Sequence, residues 1–154
     1  MYLDTILINT DSDVLKSDII ANFPEKVEII DRNADVRGNY VSMNNVLAQD
    51  INTVQSEIYI QTHSTNPLLK TQTIDKALEK MFTLVENSSE IDSIFSVSRV
   101  QKRFYNKESK PMNHDPKMLV TQHLDPIFEE NSCFYIFTKE SFDNNQSRIG
   151  SNPF

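Results

Sequence analysis

Three short polar stretches hold most of the side chains in this chain that could bind or transfer something. The first, Thr10-Asp11-Ser12-Asp13, sets two carboxylates two positions apart. Hard oxygen ligands of that kind could recruit a divalent cation; equally, Asp11 or Ser12 could cap a helix, with Asp13 favouring its positive end. The second stretch, residues 31–38, carries Arg32 and Arg37, whose guanidinium forks suit phosphate or carboxylate. The third, Gln61-Thr62-His63-Ser64-Thr65-Asn66-Pro67, packs amide, hydroxyl and imidazole groups together. It has the donors and acceptors to read the edge of a sugar or base, and the composition of a plain polar loop as well. His63 could serve as a general base, since an ordinary histidine pKa of about 6.5 lies near neutrality, or as a neutral hydrogen-bonding group. No nucleophile pattern accompanies it, and neither HExxH nor paired His–Cys spacing points to zinc. His114 and His123 fall in a later polar stretch better suited to solvent or an interface.

The elements needed to position these stretches are legible on either side of them. Thr5-Ile6-Leu7-Ile8-Asn9-Thr10 reads as a buried strand feeding a helix with an apolar stripe of Val14, Leu15, Ile19 and Phe23, halted by Pro24. Val27-Glu28-Ile29-Ile30 reads as a second strand. Ser42 is placed to cap a helix carrying Val46, Leu47 and Ile51, and Ile58-Tyr59-Ile60 follows as a third strand. Ile74, Ala77, Leu78, Met81, Phe82 and Val85 recur at helical spacing behind Thr71 and Thr73 as candidate caps. Ile94-Phe95-Ser96-Val97 supplies a fourth strand. Alternating strands and helices predict an α/β domain with a largely parallel sheet covered on both faces. In such sheets ligands gather at the carboxyl ends of strands, where the three polar stretches lie. Residues 101–126 change to polar, proline-punctuated sequence and read as an excursion, before the apolar run around Cys133 returns to the core.

Composition narrows the functional classes. With 15 basic against 22 acidic residues, net charge −7, the chain is poorly suited to a non-specific nucleic-acid or anionic-membrane surface, which needs clustered lysine and arginine. No apolar run approaches the ~18 residues of a membrane span, and the first residues carry no basic leader. The single cysteine, Cys133, cannot form an intramolecular disulfide and reads as a buried thiol in a reducing compartment, so a cytoplasmic location is expected. Only two glycines occur, Gly38 and Gly150, against an average usage of roughly 7%. A glycine-rich phosphate loop needs successive residues without Cβ, and none exists here.

Beyond these generic features, Ile8-Asn9-Thr10-Asp11-Ser12-Asp13, Asp31-Arg32, Gly38-Asn39-Tyr40-Val41-Ser42-Met43, the 61–69 stretch, Thr121-Gln122, Glu130-Asn131 and Arg148-Ile149-Gly150 resemble, in order and spacing, the CMP-sialic acid synthetase (acylneuraminate cytidylyltransferase) family. The resemblance implies a Rossmann-like α/β nucleotidyltransferase sheet with a protruding dimerisation arm. Its reaction would have the anomeric hydroxyl of a nonulosonic, sialic-type acid attack the α-phosphorus of CTP, releasing pyrophosphate with the help of Mg2+. It places Arg32 and Ser42 by the nucleotide. For the nucleotide-facing glutamine, an ungapped match selects His63 and a gapped one Gln61. Thr65, Asn66, Thr121, Gln122 and Asn131 become sugar-site candidates. The division it implies is a core over residues 1–100, an arm over 101–126 that pairs two copies as a homodimer, and a return to the core over 127–154. Val120 stands where many members have arginine beside the sugar carboxylate.

The family also begins with a strand and a Gly-Ser-Lys loop around the triphosphate, and carries an aspartate pair for magnesium downstream of its Arg-Ile-Gly segment. Neither falls within this chain, which is therefore expected to be truncated at both termini, to hold no metal ligands and to be inactive in isolation. The alternative expectation is a non-catalytic relative that binds a sugar or partner through the arm.

Overall fold

A computed structural model describes residues 3–154 except 24, 26, 88, 118 and 119. The expected helix stop at Pro24, the first two residues and the arm residues Met118 and Leu119 thus lie outside the described residues. β1 (Leu7–Thr10), α1 (Asp13–Asn22) and β2 (Glu28–Asp31) form one βαβ unit in which β1 and β2 pair in parallel, Leu7 opposite Glu28 and Thr10 opposite Asp31. α2 (Met43–Thr53) follows, then β3 (Ile58–Thr62), α3 (Thr71–Glu86), β4 (Ser93–Val100), β5 (Ile127–Thr138) and α4 (Lys139–Asn145).

β5 lies between β3 and β4 and runs antiparallel to both. The expected largely parallel sheet therefore holds for β1 and β2 but not for this second sheet. β3 and β4 share a direction, as a helical crossover through α3 requires, and the return strand enters between them from the opposite end after the 101–126 excursion.

Coverage on both faces of the second sheet follows from period-two alternation along β5. Tyr135 and Phe137 join Leu47 and Ile51 of α2 and Phe142 of α4, while Phe134 and Ile136 join Leu78 and Met81 of α3 and Ile94 of β4. The continuous apolar run at 133–137 is thus the mark of a strand with two buried faces. Cys133, expected buried, is only partly so and packs at the rim of the second cluster.

The helices match their sequence signals unequally. Ser42 caps α2 as expected, its Oγ accepting from Asn45 N at 3.3 Å, and Val46, Leu47 and Ile51 are all buried. On α1 only Ile19 of the expected stripe is buried; Leu15 and Phe23 stand four residues to either side of it, yet they and Val14 are exposed. α3 starts after Lys70 with no side-chain cap, so Thr71 and Thr73 sit inside its first turn, and Val85 is exposed. α4 carried no helical periodicity in so short a segment; Thr138 caps it, accepting from Ser141 N at 3.0 Å.

Within the excursion, Tyr105 bridges Pro111 and the Asn106 side chain accepts from Glu108 N and Lys110 N, which closes a hairpin with Ser109 in the left-handed region. Phe104, Tyr105 and Met112 are exposed on it. No helix among the described residues is long and apolar enough to cross a membrane.

Candidate functional site

The carboxyl end of β3 meets a cation that arrives from far along the chain. Alternation puts Gln61 and His63 on one side of the strand end, and Arg148, following α4, reaches both. Arg148 Nη1 donates to Gln61 Oε1 at 2.7 Å and lies 3.3 Å from His63 Nε2. Its guanidinium carbon sits 3.7 Å from the centroid of the Tyr135 ring, a cation–π stack worth roughly 0.5–2 kcal/mol. Glu130 completes the setting, 3.8 Å from Arg148 Nη2 and accepting from the Tyr135 hydroxyl, which also bonds Ser132 Oγ at 3.1 Å.

This arrangement assigns the state of His63. Gln61 Nε2 also points at His63 Nε2, at 3.1 Å, so two donors converge on one ring nitrogen. Nε2 must accept, which puts the ring proton on Nδ1. Burial, and then the neighbouring Arg148 charge, lower the His63 pKa from its ordinary value. Tyr135 is raised, chiefly by burial and then by its bond to the Glu130 carboxylate.

Arg148 is held by its own backbone. Its N–H donates to Asn44 Oδ1 of α2 at 3.3 Å, Gly150 N to Ser93 Oγ at 2.9 Å, and Ser151 N to Asp92 Oδ2 at 2.9 Å. A Cβ at position 150 would stand 2.1 Å from Asp92 Oδ1, so this anchoring requires glycine. Through Asn44 the N-terminal end of α2, with Ser42 as its cap, is tied to the Gln61–His63–Arg148 cluster.

Arg32 belongs to a second cluster at the end of β1 and β2. Its Nε and Nη2 donate to the side-chain and main-chain oxygens of Asn9, each at 2.8 Å. Asn9 Nδ2 donates to Asp50 Oδ1 at 2.6 Å, and Gln49 Nε2 to the Asp31 carbonyl at 3.2 Å. Both acceptor and donor here come from α2, so one helix touches the two clusters. Nearby, Lys16 bridges Asp13 at 3.1 Å and Asp31 at 2.7 Å, and the lysine lowers the Asp31 pKa.

The Thr10–Asp13 turn resolves toward capping: Ser12 Oγ accepts from Leu15 N at 3.3 Å. Asp13 is engaged by Lys16, and among the described residues no group of three or more His, Cys, Asp or Glu is placed to hold a metal ion.

The sugar candidates divide. Asn66 donates to the Ser132 carbonyl at 3.1 Å and accepts from Cys133 Sγ at 3.3 Å, beside a cavity of about 470 Å³ that Thr65, Lys70 and Thr73 also line. It meets β5 where the ladder with β4 shifts register and Ser132 takes φ 55°, a bulge that turns residues 131–133 toward the 63–67 loop. Asn131 braces that bulge, accepting from Ser96 Oγ at 2.6 Å and donating to Ser98 Oγ at 3.3 Å. Thr121 and Gln122 sit on a 3-10 turn, Thr121–His123, where Gln101 Nε2 donates to the Gln122 carbonyl at 3.0 Å. The sequence reading missed Asn9, Asn44, Asp50, Glu130 and Tyr135 as site members and gave Arg148 no role. Each works through a partner distant in sequence, so no spacing announces it.

The sequence family described as cytidylyltransferase matches residues 2–152. No curated protein sequence matches the chain. Among solved structures, a CMP:2-keto-3-deoxy-manno-octonic acid synthetase complexed with CTP superposes with a TM-score of 0.59 at 12% identity, over 92% of this chain and 59% of that one. A 4-diphosphocytidyl-2C-methyl-D-erythritol synthase from Anaerococcus prevotii superposes with a TM-score of 0.58 at 10% identity, over 90% of this chain and 56% of that one. At these identities the likeness is one of fold, and the chain spans less than two thirds of the length of either protein.

Because its folded pKa is lowered, His63 stabilises the fold above the unfolded-state value near 6.5 and loses that contribution as pH falls through the folded value. Ring-nitrogen NMR should show His63 neutral at pH 7 with the proton on Nδ1, titrating below an ordinary histidine, and Arg148→Gln should raise it. An ordinary titration with the proton on Nε2 contradicts the assignment.

Proposed function

Since the chain belongs to the cytidylyltransferase family, we propose that it is a cytidylyltransferase-type protein whose site serves the joining of CTP to a nonulosonic, sialic-type acid. The anomeric hydroxyl of the acid attacks the α-phosphorus, the bond to the β-phosphate oxygen breaks, and pyrophosphate leaves. The observation that carries this reading is the meeting of Gln61, His63 and Arg148 at the end of β3 with the α2 N-terminus, while α2 also holds the Arg32 turn. Amide, imidazole and hydroxyl groups beside two guanidinium groups suit a base edge and a phosphate.

In this proposal Arg32, Ser42, Gln61 and His63 face the nucleotide. Thr65 and Asn66 face the sugar from the 63–67 loop, and Thr121, Gln122 and Asn131 do so from the arm and the β5 bulge. The neutral Nδ1–H form of His63 leaves one ring donor for a ligand oxygen. The chemistry of this chain's own residues is confined to holding the two substrates. Magnesium, implied by the family resemblance, would offset charge on the phosphates when bound.

Transfer from a triphosphate needs converging backbone donors to offset charge in the transition state. A chain with two glycines has no glycine-rich loop to supply them. The 154-residue chain alone should therefore release no measurable pyrophosphate from CTP, magnesium and a panel of nonulosonic acids. Robust CTP-dependent product from the purified chain would show that other residues carry the chemistry.

The hairpin within residues 101–126, with Phe104, Tyr105 and Met112 exposed among polar neighbours, has the mixture of an interface core and rim. The proposed partner is a second copy of the chain. Sedimentation should report a dimer at micromolar concentration that becomes monomeric when residues 103–119 are replaced by a short polar linker. A chain that stays monomeric throughout removes the arm's assignment.

A further inference from the structure

Resting on the nucleotide role proposed for Arg32, we infer that Asn9 and Asp50 are positioning residues that fix the direction of the Arg32 guanidinium. Arg32 grips Asn9 at two points, Nε on the side-chain oxygen and Nη2 on the main-chain oxygen, both at 2.8 Å. Two parallel bonds to one residue fix the plane of the group as well as its place. They use two of the five N–H donors of the fork, and leave the Nη1 amino group to a ligand.

That grip depends on which way the Asn9 amide faces, because only its oxygen can accept from Nε. The choice is made on the other side of the amide. Asn9 Nδ2 donates to Asp50 Oδ1 at 2.6 Å, with Gln49 Oε1 a longer second acceptor at 3.4 Å. An ionised carboxylate only accepts, so a flipped amide would set its carbonyl against Asp50 and its NH2 against Arg32, losing both bonds. Asp50 therefore orients Asn9, and Asn9 orients Arg32. Arg37 steadies the backbone of the same turn, its Nε donating to the Arg32 carbonyl at 2.7 Å.

The charge facing Asp50 is Arg32, which favours the carboxylate, whereas burial is the larger effect and raises the Asp50 pKa. Taking even a half-buried carboxylate out of water costs stability unless it is bonded, and here its bond is to the amide that sets the arginine. A carboxylate is not required for the task, only an acceptor at Oδ1. Asp50→Asn retains one; Asp50→Ala does not.

The side-chain Nε–H signal of Arg32 in 15N-labelled chain reads the grip without any ligand, and titration with CTP reads its consequence. The signal should be protected from exchange in the wild type and in Asp50→Asn, and lost to exchange in Asn9→Ala and Asp50→Ala. CTP affinity should fall about tenfold in both alanine variants, the scale of losing one well-aimed charge-assisted bond, and stay within about twofold in Asp50→Asn. An Arg32 signal unchanged in Asn9→Ala or Asp50→Ala overturns the inference, as does an Asp50→Asn variant as impaired as Asp50→Ala. The two deletions break different links, so either one decides the matter if the other does not fold. A wild-type chain that does not bind CTP while the Arg32 signal responds as described refutes the nucleotide reading alone and supports the positioning.

Discussion

Everything in the site hangs on the seating of α2. Its apolar stripe buries Leu47 and Ile51 against Tyr135 and Phe137 of the antiparallel sheet, with Ile51 only 2% exposed and Phe137 fully buried. Burial of such side chains contributes about 1.5–3 kcal/mol each. The same helix turns Gln49 and Asp50 toward the parallel pair, where they hold Asp31 and Asn9. Apolar burial fixes where the helix lies, and polar groups on its flank fix what lies beside it. Among the described residues no strand ladder joins the two sheets, so α2 is the element that relates the Arg32 turn to the end of β3.

The second constraint is the density of β5. Period-two burial on both faces leaves the Tyr135 hydroxyl as the polar side-chain group of residues 134–137, so the other groups that β5 and the chain after it bring to the end of β3 come from the bulge just before and from the segment after α4. The bulge carries Asn131 and Ser132, and Arg148 returns over the Tyr135 ring. An arginine stacked on an aromatic face, with an amide and an imidazole at its edge, loses little rotamer freedom on meeting a ligand. In the proposed nucleotide site, a rigid core would limit what Arg148, Gln61 and His63 must give up to bind.

Elements whose signal is local were legible in the sequence. The Ser42 cap and the Val46, Leu47 and Ile51 stripe predict α2, the helical spacing from Ile74 predicts α3, and the apolar run at 133–137 predicts a return to the core. Features set by partners far away were not. The antiparallel entry of β5 follows from where the 101–126 excursion returns, which no periodicity encodes. The exposure of Val14, Leu15 and Phe23 was not legible either, because it depends on which elements pack beside α1 and not on their own hydrophobicity. The polar turns at 31–38 and 61–67 were found because strand ends gather polar residues. Their partners Asn9, Asp50, Tyr135 and Arg148 stayed hidden, since a hydrogen bond across 87 positions, as between Gln61 and Arg148, leaves no spacing to read.

The central claim is that α2 makes one nucleotide site out of two clusters borne on different sheets. Mapping backbone and side-chain chemical shifts of the labelled chain on addition of CTP tests it most directly. The account predicts concurrent changes, with one dissociation constant, at Arg32 and Asn9 on one side and at Gln61, His63 and Arg148 on the other. Changes confined to one cluster, or titrating with different constants at the two, would contradict it.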